Sequence, residues 1–169
     1  MAISVYDFSY PVLTHGLANL SAILDKASAH AAAKKYDSIV LTQARLFPDM
    51  HPLTRQVQIA CDTAKGAAAR LAGIDPPKHE DTETTFADLK ARIAKTLDFL
   101  ETANAVRLTD ADSRPIELKL PTTTFHFTAV SYLTDFVLPN FYFHLSMVYA
   151  LLRKNGVDLG KRDFLGLKQ

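Results

Sequence analysis

"PNFYFHLSMVYALLRKNGVDLGKRDFLG", residues 139–166, decides how the chain folds. From Pro139 to Lys154 the apolar residues recur at helical rather than strand spacing, and Asn155-Gly156 supplies a left-handed stop. At about 100° per residue, Phe141, Met147, Val148, Leu151 and Leu152 share one side. His144 falls near the middle of that side, and Asn140, one turn earlier, lies at its edge. Tyr142, Ser146, Tyr149 and Arg153 point the other way. Two polar side chains on an inward face need partners once buried. The i, i+4 spacing is also how helices hold metals, although asparagine is a poor zinc or nickel ligand. Three readings of His144 stay open: a core histidine bonded to a carbonyl or hydroxyl, a wall of a small-ligand pocket shared with Asn140, or a metal ligand.

Working outward, three more helices precede this one. Val12, Leu13, Leu17, Leu20, Ile23, Leu24 and Ala27 mark helix one, from Ser4 to about Ala32. Ser4 and Asp7 resemble a capping box, Pro11 predicts a kink or a start shifted to Ser9, and Gly16 on the apolar face predicts close approach of a neighbour. Residues 34–50 read as a connector with one helical turn after Asp37 or Ser38. Helix two carries Leu53, Val57, Ala60, Cys61, Ala64, Ala68 and Leu71 and stops at Gly73; its alanines invite close packing. The charged stretch IDPPKHEDTETT, 74–85, reads as a solvated loop. Helix three starts near Thr84 or Thr85 and presents Phe86, Leu89, Ile93, Leu97 and Leu100. The alternation in PIELKL and TFHFT, about a turn at Pro121-Thr122-Thr123, predicts two short strands whose Ile116, Leu118 and Leu120 row needs cover. The fold class is therefore all-α, a four-helix bundle over residues 1–169 with a small β-hairpin between helices three and four.

Composition narrows the function. Nineteen Lys and Arg against eighteen Asp and Glu leave a net charge of +1, so no overall field attracts nucleic acid or an anionic membrane. Cys61, the single cysteine, excludes an intramolecular disulfide and any multi-cysteine zinc site and suits a reducing cytosol. The N-terminal sequence lacks a basic, then apolar, leader, and no apolar run reaches spanning length, which predicts a soluble, cytoplasmic protein.

Other polar residues are weaker candidates. His51 before Pro52 reads as capping or exposed. Gln56 flanks the apolar face of helix two, Asp62 lies on its far side, His126 should be exposed on its strand, and His15 sits off the apolar face of helix one. Cys61 reads as a packed, inert thiol. No phosphate loop, nucleophile elbow, HExxH motif or Ser/His/Asp order is present.

The segments RLFPDMHPLTRQVQIACDTAKGAAARLAG, LKARIAKTLDFL and YLTDFVLPNFYFHLSMVYALLRKNGVDLGKRDFLG together resemble a bacterial and fungal family of unknown function in the DinB/YfiT-like superfamily. The resemblance implies an up-down-down-up four-helix bundle, often dimeric, with relatives that include metal-dependent thiol transferases and a mycothiol-dependent isomerase. Those relatives commonly hold a divalent metal with one histidine on helix two and an HxxxH pair on helix four. Aligned on Arg153 and Gly156, the second histidine of the pair falls on His144 and the first on Asn140, while helix two has no inward histidine. The resemblance thus implies a degraded metal site, no cofactor, and a residual pocket of His144, Asn140 and Gln56 for a small-molecule ligand. The leading expectation is a binding or structural homodimer. The alternative is a thiol-dependent transferase or isomerase that uses His144 as base or as the remaining ligand of a divalent metal.

Overall fold

The computed structural model describes residues 4–106, 111–120 and 122–167, with Ala111 described by its backbone alone. Helix α1 spans Val5–Lys34, α2 is the single turn Ile39–Thr42, α3 spans Leu53–Ala72 and α4 spans Phe86–Ala105. Strands β1, Pro115–Leu120, and β2, Thr123–Thr128, form an antiparallel pair with Ile116 opposite Phe127 and Leu118 opposite Phe125. A last helical stretch follows as α5, Ala129–Ser131, a π segment, Tyr132–Val137, and α6, Leu138–Lys154. The short α7, Lys161–Leu165, completes the described chain. Pro121, read as part of the hairpin turn, lies outside the described residues.

Local signals explain most boundaries. The Ser4 N–H donates to the Asp7 carboxylate at 2.9 Å, and the Val5 N–H donates to Asp112, so the free donors at the start of α1 are met. Helix α1 begins at Val5, next to the expected Ser4, and runs through Pro11 without the start shifting to Ser9. The bond that proline withholds falls on the exposed side of the helix, where solvent reaches it. Thr85 and Asp88 form a complete capping box on α4, and their hydrogen bonds hold the Asp88 carboxyl below its ordinary range. Gly73 and Gly156, the predicted stops, have φ of 67° and 84°.

The last helical stretch starts at Ala129, before Pro139. Thr128 caps it, and the turn widens before Pro139, with the Leu138 N–H reaching the Leu133 carbonyl five residues back. Proline has no N–H for the carbonyl four residues before it, and a π turn absorbs that loss without breaking the helix.

Helix α3 is the centre of the molecule, packed against α1, α4 and α6. The alanine face allows this, since Ala60, Ala64, Ala67 and Ala69 are fully buried. Gly16 does the same for α1: a Cβ there would meet the Phe141 ring at 2.5 Å, so the close approach read from its position is real. Asp62 of α3 meets Arg92 of α4, and further along both helices Leu71 and Leu100 line one hollow, so these helices are parallel. Parallel neighbours need a return connection, and residues 73–85 at about 3.3 Å each can cross the roughly 30 Å of a helix this long.

That connection is not simply solvated. Arg92, 2% exposed on α4, donates to Glu83 at 3.0 and 3.3 Å, to the Glu80 carbonyl at 3.1 Å and to Asp62 at 3.0 Å, and pairs with Asp81 at 3.0 Å. Asp62, expected on the far side of α3, therefore faces α4, because α3 is enclosed on more sides than one apolar stripe suggests. Lys65 reaches the same carboxylate at 3.0 Å.

The ribbon lies on the bundle. Ile116 and Leu118 are buried against it, whereas Leu120 is 43% exposed because the ribbon tip extends past the covering helices. Tyr149, read as outward, is covered by Phe164 of α7 in an edge-to-face contact at 5.8 Å. The tail is held by Lys26 on Asp163 and by the Leu165 carbonyl at 3.0 Å from His15 Nε2, which gives His15 a structural partner. No helix among the described residues is long and apolar enough to cross a membrane.

Truncating Arg92 leaves a cluster of carboxylates without its cation, so Arg92→Ala should cost about 3 kcal/mol, the lower end for breaking a buried pair because Asp62 and Asp81 keep some solvent. Urea unfolding measures it. A loss below about 1 kcal/mol, the level of an exposed pair, would contradict an anchoring role.

Candidate functional site

Three polar contacts step along the α3–α6 seam. On α3 they involve Gln56, Thr63 and Arg70, each two turns from the next. On the facing helical stretch they involve His144, Asn140 and Tyr132. The Arg70 guanidinium donates to Tyr132 Oη at 3.2 Å, Asn140 Nδ2 donates to Thr63 Oγ1 at 2.8 Å, and His144 Nδ1 lies 2.6 Å from Gln56 Oε1. As numbers rise on one helix they fall on the other, so the two run antiparallel.

His144 is 7% exposed and faces α3. Gln56 Nε2 donates to the His51 carbonyl at 3.2 Å, which directs Gln56 Oε1 to the imidazole as an acceptor. The His144 proton is therefore assigned to Nδ1, with the lone pair on Nε2. Burial, then the charges of His51 and Arg55, lower the His144 pKa from 6.5 to about 4, so the ring is neutral at physiological pH. The His51 side chain is exposed, as is His126.

Beside this pair is a cleft of about 250 Å³ between α3, the π segment and β1. Asn140 lines it, together with Thr63, Arg70, Leu118, Tyr132 and Phe136. Gln56 and His144 are not among its walls; they form a closed pair one turn away, with their polar atoms turned to each other. The cleft residues Thr63, Arg70 and Tyr132 went unnoticed in the sequence. A usable signal existed, since Arg70 interrupts the alanine run AKGAAARLAG two turns after Thr63, itself two turns after Gln56. Gly66, four residues before Arg70, makes space for it: a Cβ there would lie 2.7 Å from the guanidinium, whose Nη1 donates to the Gly66 carbonyl at 3.0 Å.

Two other hollows compare poorly. A crevice beside Tyr6 and Leu71 has about 10 Å³, room for one water. A depression of about 430 Å³ over Arg92 has Ala91 as the one apolar side chain among Lys78, Glu83, Lys95 and other polar neighbours, so it offers little apolar surface to a ligand. Cys61 is fully buried, and burial pushes its thiol up to about 12, which leaves it protonated and inert.

Residues 5–165 match the family model described as a domain of unknown function, DUF1993. The chain belongs to the DUF1993 family. It is also similar to a solved DinB family member protein from Shewanella denitrificans, at 43% identity over 96% of this chain and 92% of that one, with a TM-score of 0.87. A mostly helical chain with one two-stranded antiparallel sheet is consistent with that DinB-like fold. No curated protein gives a significant match.

The metal implied by the superfamily resemblance does not fit the donors in this DUF1993 chain. His144 is the only imidazole on the inner seam, Asn140 is tied to Thr63, and Gln56 presents an amide. Among the described residues no three His, Cys, Asp or Glu side chains converge to hold an ion.

Because the folded chain resists protonating His144, the unfolded chain binds its proton first on acidification. The His144 contribution is complete above pH 6.5 and is lost as pH falls toward 4. Between pH 7.5 and 4.5 it should amount to about 2 kcal/mol. Urea unfolding at both pH values, for the parent and for His144→Gln, isolates it. Equal pH slopes in the two proteins would show that the imidazole is not held neutral.

Proposed function

We propose that this DUF1993 chain is a single-domain, cytosolic, DinB-like bundle of up-down-down-up order that acts as a small-ligand-binding homodimer with a degraded metal site. The observation that carries the reading is the commitment of the side chains at the former ligand positions. His144 is bound to Gln56 and Asn140 to Thr63, amide and hydroxyl partners that neutralise nothing and leave no open triad. The α3–α6 cleft beside them combines apolar walls with a few convergent polar groups, the usual character of a small-molecule site.

The competing enzyme reading gives His144 the role of base. A group with a pKa of about 4 is a weak proton acceptor at neutral pH, which supports binding over acid–base catalysis at this residue. Calorimetric titration with zinc and with nickel should show no 1:1 binding. Micromolar or tighter binding that disappears in His144→Ala would overturn the degraded-site reading and restore the metal-dependent alternative.

Homodimer formation is supported by apolar side chains left outside the bundle. Tyr142 and Phe143 are adjacent on α6, the latter 53% exposed, and Leu120 and Phe125 stand on the ribbon tip. Aromatic groups of this kind are enriched where interfaces form, and two-fold pairing is the commonest closed arrangement. Sedimentation equilibrium at micromolar concentration should give twice the 18.7 kDa chain mass. A monomer mass at every concentration would refute the dimer.

A further inference from the structure

Charge balance in the α3–α6 cleft is uneven. Asp62 at its margin is neutralised by Arg92 and Lys65, each at 3.0 Å, and Arg55 is paired with Asp81. Arg70 has no carboxylate partner among the described residues. Its Nη1 serves the Gly66 carbonyl and Tyr132 Oη, and its guanidinium carbon stands 5.8 Å from the centre of the Tyr132 ring. The Nε and Nη2 donors of Arg70 have no partner among the described residues. Nor have the hydroxyl protons of Tyr132 and Thr63, each oxygen being engaged as an acceptor. One uncompensated cation and two hydroxyl donors thus stand in a cleft whose other walls include Ile59, Leu118 and Phe136.

We propose that the cleft binds an organic carboxylate with a small apolar body, its carboxylate on Arg70 and its body against Phe136, Leu118 and Ile59; this rests on the ligand-binding reading above and names the ligand class. A carboxylate matches the planar donor fork of a guanidinium and cancels its single charge. A phosphate dianion would leave one negative charge uncompensated next to Asp62. The volume of about 250 Å³ lies just under the range for drug-sized ligands and suits one ring or a short branched chain. Gly66 belongs to the device, because its missing side chain seats the guanidinium. In Gly66→Ala the new methyl would push the guanidinium off that seat, keeping the charge while moving it.

Benzoate and its neutral isostere benzamide, titrated into the full chain and followed by amide NMR, test the assignment. Benzoate should shift the amides of Thr63, Arg70, Tyr132 and Asn140 and bind about tenfold more tightly than benzamide, the value of a hydrogen bond to a charged group. Arg70→Gln should remove that preference. Gly66→Ala, which favours helix and so keeps the fold, should weaken benzoate but not benzamide. Equal binding of the two probes, or a benzoate preference that survives both substitutions, overturns the carboxylate assignment and leaves the cleft as a binding site. Tighter binding of phenyl phosphate than of benzoate also overturns it. If no probe shifts those amides, the ligand-binding reading falls with it.

Discussion

The rest of this structure depends on one constraint: α3 is enclosed by three other helices, so each polar side chain it buries must be met by a partner, on a neighbouring element or on α3 itself. Thr54 donates to the Thr42 carbonyl and fixes the connector before it. Gln58 donates to Glu83 at 2.8 Å and fixes the loop before α4. Lys65 and Arg92 share Asp62 and close the space between α3 and α4. Gln56 takes His144, and Thr63 takes Asn140. A helix of alanines alone would pack as closely but would not say which neighbour belongs on which side. The polar set makes α3 the addressed member of the bundle.

The same set explains why the α3–α6 seam does not fit the metal that the superfamily resemblance implies. A metal site needs several basic donors left unmatched in the protein so that an ion can match them. Here His144 is joined by the amides of Asn140 and Gln56, and each amide is already bonded. The His144 imidazole is buried, neutral and oriented by an amide rather than by a carboxylate that would raise its basicity. Two turns along α3 from Thr63, Arg70 lines the cleft.

The sequence made the helices, the ribbon and the inward position of His144 legible because each is a local pattern. Capping at Ser4 and Thr85, the stops at Gly73 and Gly156, and the alternation in PIELKL act over a few residues. The misjudged points needed knowledge of what lies opposite. Asp62 looked outward on one wheel because the wheel assumes a single buried stripe, and α3 has several. The 74–85 stretch looked solvated because its anchor, Arg92, comes later in the chain inside an apolar face. At the site, Gln56, Asn140 and His144 were found individually, yet their partners differ from the single pocket expected. Arg70 and Tyr132 are far apart in sequence and matter only as a pair, which periodicity cannot express.

The wide turn before Pro139 has a consequence for how related chains are to be compared. A π turn holds one residue more than an α turn, so everything before it is offset by about 100° from where a regular helix would carry it. A relative lacking that residue could align without a visible break across YLTDFVLPN and still present a different side chain where Tyr132 meets Arg70. A single-residue gap between 132 and 137 in such an alignment would therefore decide whether an aromatic hydroxyl reaches the cleft. Percentage identity alone would not reveal that difference.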